Sequence, residues 1–254
     1  MRNNANFHTS NYVFVHGSAG AGAQWRDMAA LLPPSARCLC PDLVGYGSGP
    51  AFDRGSYRFQ QEIAIVEDAL ETAGSSSILI GHSFGGVVAL AAAITRPELV
   101  ARLVLIEPVA FTLLDSTEHH ASHQRLLAFC NRIDELVELG RMSDAAECAL
   151  IHAPAFTASD ITRRLTAPTL VLRGSESPRL AREVCAVVAG ASPCCTLAEL
   201  PRANQMSPLL RPQEVLASIR DFSARAADHV RLGCCPEDRA AGLPDAATMP
   251  TLVV

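Results

Sequence analysis

Gly81, His82, Ser83, Phe84 and Gly85 lie between two apolar runs, "SILI" and "VVALAAAI". Small residues flanking a serine relieve crowding where a buried strand turns sharply into a helix, and that turn lifts the hydroxyl to the helix N-terminus. A serine held there can attack a carbonyl carbon if a neighbouring base takes its proton. Eight histidines could be that base: His8, His16, His82, His119, His120, His123, His152 and His229. His119 and His123 share one face of a helix at i and i+4, but no third ligand accompanies them, so neither a metal nor any other cofactor is expected.

The elements that must position Ser83 alternate. "YVFVHG" reads as a strand ending in glycine, and "QWRDMAALL" has helical spacing before a "PP" break. A strand in "ARCLCPDL", a helix over 58–73, a strand in "SSILIG", a helix over 84–95 and a strand in "ARLVLIEP" follow. After 111–165, where only helical stretches appear, strand "PTLVLRG", helix 179–189, strand "CCTLAEL" and helix 212–223 resume the rhythm. Such alternation predicts an α/β fold with a mostly parallel sheet covered on both faces. The expected organisation is a core over 11–110 and 166–223, a helical insertion over 111–165 and a flexible C-terminal tail over 224–254.

With 254 residues, 49% of them hydrophobic, the chain can bury one sizeable core. No apolar run approaches a membrane span, and "MRNNANFHTS" lacks the apolar centre of a signal peptide, so a soluble cytoplasmic protein is expected. Nine scattered cysteines read as reduced thiols. A net charge of −5, with arginine supplying every basic residue in no dense cluster, argues against nucleic acid as a partner. Oligomeric state is left open.

With these motifs in this order, the chain resembles the α/β-hydrolase family over roughly residues 11–223. "HGSAGAGAQW" looks like the family's oxyanion loop, "PDLVGYGSG" like the loop after the next strand, "GHSFGG" like the nucleophile elbow, and 111–165 like a small helical cap. About ten residues precede the "HG" loop where two further strands are usual, so a sheet shortened at its start is expected. The resemblance implies Ser83 as nucleophile and the backbone N–H groups of Ser18 and Phe84 as oxyanion donors. It implies an acid after the strand before or after the cap: Glu107 is preferred, because in "VLRGSESP" Ser177 stands at the acid position and Glu176 is one place off. His16, Gly17, His82, Phe111 and His152 are the expected substrate-side residues, with His16 also bracing its loop and His82 supporting the turn.

The family's histidine belongs in the loop after the last strand, here "PRANQMSP". Aligned on its proline and "MSP", that position holds Gln205. An amide does not titrate near neutral pH, so glutamine cannot act as general base. The resulting expectation is a serine hydrolase-type protein for small esters or related acyl substrates whose turnover is weak, or a ligand-binding descendant without turnover.

Overall fold

A computed structural model describes residues 11–53, 55–74, 76–114, 121, 124 and 157–231, with side chains through residue 225. Six strands form one sheet in the order β2-β1-β3-β4-β5-β6, and every pairing is parallel. They are β1 Asn11–Val15, β2 Arg37–Leu39, β3 Ser77–His82, β4 Val100–Ile106, β5 Thr169–Gly174 and β6 Cys195–Leu200. The helices are α1 Arg26–Ala30, entered through a 3-10 turn at Gly22–Trp25, then α2 Phe59–Ala73, α3 Phe84–Thr95, α4 Ala158–Arg164, α5 Arg179–Gly190, α6 Ser207–Leu210 and α7 Pro212–Arg231.

The central strands β1, β3, β4 and β5 are mostly apolar because both faces of the sheet are covered there, whereas the edge strands β2 and β6 are largely exposed or half-buried. Alternate residues enter two different cores, as strand geometry requires. Val13, Val15, Leu79, Leu103, Leu105 and Val171 join α2, α3 and α5 on one face. Tyr12, Phe14, Ile78, Ile80, Val104, Ile106, Leu170 and Leu172 join α1 and α7 on the other. Within α3, Phe84 through Ile94 are all buried, and its alanines let the helix lie close to the sheet.

The strand order reverses between β1 and β3, and the carboxyl ends of those two strands lead into "HGS" and "HSF" respectively. In open α/β sheets the crevice outside such a reversal is where ligands bind. The topology therefore brings the two loops singled out by their chemistry to one place.

Three expectations about the elements change. Pairing in "ARCLCPDL" stops at Leu39, because Asp42 turns the chain: its carboxylate accepts from Gly22 N at 2.6 Å, Ser48 N at 2.7 Å and Ser48 Oγ at 2.9 Å. The short α6, which begins two residues after Gln205, has no counterpart in the sequence reading. The last helix runs on to Arg231, past its expected end at 223; residues 232–254 lie outside the described residues. Of the expected cap, the described parts are a 3-10 turn at Phe111–Leu114 and α4.

Candidate active site

Ser83 sits between β3 and α3 with φ 54° and ψ −119°, backbone angles that L residues rarely adopt. The turn is possible because both flanking glycines are in close contact with backbone. A Cβ on Gly81 would overlap the Gly85 carbonyl and come to 2.7 Å from Ala89 Cβ, and one on Gly85 would overlap the His16 carbonyl. The serine N–H donates to Ile106 O at 3.0 Å, and its carbonyl accepts from Gly86 N at 3.0 Å and Val109 N at 3.3 Å, so β4 and its following loop hold the turn. Ser83 itself is 9% exposed.

The loop after β1 lies against this turn: a Cβ on Gly17 would stand 3.1 Å from Ser83 Cβ and 3.3 Å from His82 Nδ1. His16 fixes that loop. Its Nε2 accepts from Leu43 N at 3.0 Å, so its Nδ1–H is the donor to Gly17 O at 2.8 Å. Burial lowers the His16 pKa, against smaller opposing effects of the Gly17 bond and of Asp42, which keeps the ring in the neutral form this pattern requires. Among the described residues, the N–H groups of Ser18 and Phe84 have no hydrogen-bond acceptor. Phe84 N opens α3, where the helix dipole favours negative charge.

Gln205 is next to the serine. Its Nε2 donates to Ser83 Oγ at 3.1 Å. The loop carrying it is tied to the loop after β5, since Glu176 N donates to Ala203 O at 2.9 Å and Arg202 N to Ser175 Oγ at 2.8 Å. Asn204 Oδ1 accepts from Met206 N at 2.9 Å and tightens the turn beyond it.

Glu107, with φ 46°, is 1% exposed at the end of β4. One carboxylate oxygen accepts from Gly174 N at 2.8 Å and from the Ser177 hydroxyl. The other, Oε2, is buried without a hydrogen-bond partner among the described residues. Ser177, read from sequence as a missing acid, is instead the donor that holds Glu107, while Glu176 is exposed. A carboxylate with one oxygen anchored and one free is suited to accept an imidazole N–H.

His82 and His16, both expected on the substrate side, are buried. His82 is 6% exposed: its Nε2–H donates to Gln205 O at 2.8 Å, and its Nδ1 accepts from Gln24 Nε2 at 3.4 Å. Burial pushes its pKa down to about 4, opposed by the Gln205 bond and helped by His16. His16 is fully buried. In each ring both nitrogens are engaged by protein. Phe111 is half-buried in the turn after β4 and packs against the core. His152, like His119, His120 and His123, lies outside the described residues. Gln24 was not anticipated, since nothing in "GAGAQW" says that its side chain turns toward His82.

The profile of the α/β hydrolase fold family matches residues 13–129. Among characterised proteins, 2-hydroxymuconate semialdehyde hydrolase of Pseudomonas sp. is 40% identical over 111 residues, which is 40% of this chain and 38% of that enzyme. Lipase LipV of Mycobacterium tuberculosis is 34% identical over 95 residues, covering 37% of this chain and 35% of the lipase. The matched stretches span well under half the length of these relatives. Among solved structures, NosK from Streptomyces actuosus superposes with TM-score 0.62 at 27% identity, over 86% of this chain and 99% of NosK. No described helix is long and apolar enough to cross a membrane. By sheet topology and by structural likeness over most of its length, this chain has the α/β-hydrolase fold, and its residues 13–129 are similar to that family's profile.

Proposed function

We propose that the protein is a serine hydrolase-type acyl-transfer catalyst of low turnover, acting on a small ester or related acyl substrate. Ser83 is its nucleophile, Ser18 N and Phe84 N its oxyanion donors, and Glu107 its retained acid. The observation that carries this reading is the strained Ser83 turn with the Gly17 loop pressed against it. A tetrahedral oxyanion formed on Ser83 has two unpaired backbone donors available, one from each loop.

Turnover is low in this account because Gln205 approaches the hydroxyl as a donor. Its N–H occupies a lone pair of the attacking oxygen, and the serine proton finds no base there. Loss of one triad member typically costs roughly 10⁴ to 10⁶ in turnover, while the oxyanion hole and binding retain about 10³ to 10⁴ over water. The relatives described as hydrolases and lipase support the reaction class.

Incubating the full chain with a fluorophosphonate and mapping the adduct tests the nucleophile. Slow labelling at Ser83, absent in Ser83→Ala, is expected; no adduct in folded protein after long exposure sinks the reading.

The same donor geometry favours a second reading, a protein of this fold that binds a small ligand without turning it over. If Ser83→Ala removes a measured activity and leaves ligand affinity intact, that second reading fails.

A further inference from the structure

We propose that His82 is a positioning residue, which sets the Gln205 amide on the Ser83 hydroxyl by holding the Gln205 main chain through its Nε2–H. A glutamine side chain has three rotatable bonds and finds one hydroxyl reliably only if its own backbone is fixed. The surrounding hydrogen bonds fix residues 202–204 and 206, but the Gln205 carbonyl is left to His82. Position 208 is proline and has no N–H to close an i to i+3 bond back onto that carbonyl.

Two bonds thus join adjacent residues of the nucleophile turn to one residue more than 120 positions away. His82 reaches the Gln205 backbone, and Gln205 reaches the Ser83 side chain, with sequence separations of 123 and 122. The imidazole is itself contacted on its other sides. Gln24 donates to its other nitrogen, the Trp25 ring meets it edge to face with centroids 6.4 Å apart, and Gly17 closes over it. His82 therefore couples the loop after β1 to the loop after β6 across the serine.

The chemistry of the ring allows its two contacts to be separated. Glutamine at 82 can place an N–H near the Nε2 position, whereas asparagine can keep a polar atom only near Nδ1. In the full chain, the side-chain amide of Gln205 is followed by ¹H–¹⁵N correlation, assigned by its disappearance in Gln205→Glu and identified as serine-bound by its change in Ser83→Ala. The wild-type amide is expected to show a displaced proton shift and slowed exchange. His82→Gln keeps both features. In His82→Asn and His82→Leu the shift moves to the value of a free glutamine amide and exchange speeds up by about five- to tenfold, the scale of one hydrogen bond.

If His82 only filled space, the ranking would follow side-chain volume and Tm, and Leu would match or exceed Gln. That result, or an unchanged Gln205 amide in His82→Leu and His82→Asn, overturns the proposal. Should a variant fail to fold, Gln24→Leu, which removes the donor to Nδ1, provides the same readout with a smaller expected change. The proposal takes from the preceding reading only the importance of Ser83, and the amide spectrum needs no turnover. Absence of a fluorophosphonate adduct would refute the nucleophile without altering the His82 result.

Discussion

Gln205 Nε2 and Ser83 Oγ are 3.1 Å apart with the amide as hydrogen-bond donor, so at Ser83, the nucleophile we propose, the neighbouring side chain presents an N–H where a triad base would accept a proton. The Ser83 turn, with its positive φ, thus faces a side chain that donates to the serine hydroxyl.

Glu107, the acid we propose, is anchored through one carboxylate oxygen and has the other unbonded among the described residues. Glu107→Ala would leave the buried Gly174 N–H and Ser177 hydroxyl without their acceptor, and a loss of about 2–4 kcal/mol in denaturant unfolding is expected. Ser177→Ala removes one donor and should cost about 1 kcal/mol. Equal effects of the two variants would show that Glu107 is not the hub of this pair.

Gly81 and Gly85 should tolerate no side chain. Gly81→Ala places a methyl on the Gly85 carbonyl and near Ala89, and overpacking of this kind costs about 1–3 kcal/mol or more where backbone must shift. A Tm of Gly81→Ala within a degree of wild type would contradict the close approach that shapes the turn.

Much of this was legible in the sequence, and the limits have physical reasons. The elbow was readable because a strand-to-helix turn with a glycine on each side of a serine has few other uses, and Gln205 because the proline and "MSP" fix its register in a short loop. The part played by Ser177 was hidden: its sequence position suggested a lost acid, whereas the carboxylate arrives from β4, seventy residues away in sequence. Periodicity gave α7 but not its end, because "SARAADHVR" carries too few apolar residues to announce a helix whose described portion packs mainly through Val215, Leu216, Ile219 and Phe222. The sequence places His16 and His82 on the substrate side and as braces of their loop and turn, while the partners that hold them, Leu43, Gln24 and Gln205, come from contacts that no local pattern encodes.

Stability should depend on pH through a residue outside the site. Glu62, buried on α2, accepts from Val44 N at 3.0 Å and the Tyr57 hydroxyl at 3.2 Å, and burial raises its pKa from 4.5 to about 7, against those two bonds. A raised folded pKa means that its contribution is complete below pH 4.5 and is lost as pH climbs through 7. His82 works in the other direction: with a folded pKa of about 4 against 6.5, its contribution is complete above 6.5 and is lost as pH falls toward 4. The two slopes offset each other between 4.5 and 6.5. Glu62→Gln removes the first slope, so its stability relative to wild type should rise by about 2 kcal/mol between pH 5 and pH 8 in urea unfolding. A pH-independent difference would mean that Glu62 ionises as it does in the unfolded chain.

The most direct test of the central claim is hydrolysis of a short-chain p-nitrophenyl ester by wild type and Gln205→His, measured at equal folded concentration near pH 8. With Ser83 strained into place and Glu107 Oε2 free to accept an imidazole N–H, the substitution should raise kcat/KM by roughly 10² or more, toward the 10⁴ or greater that a triad member is typically worth. Glu107→Gln in the same background should reverse most of that gain. Wild-type turnover equal to or faster than that of Gln205→His would contradict the account, because a base would then already be serving Ser83.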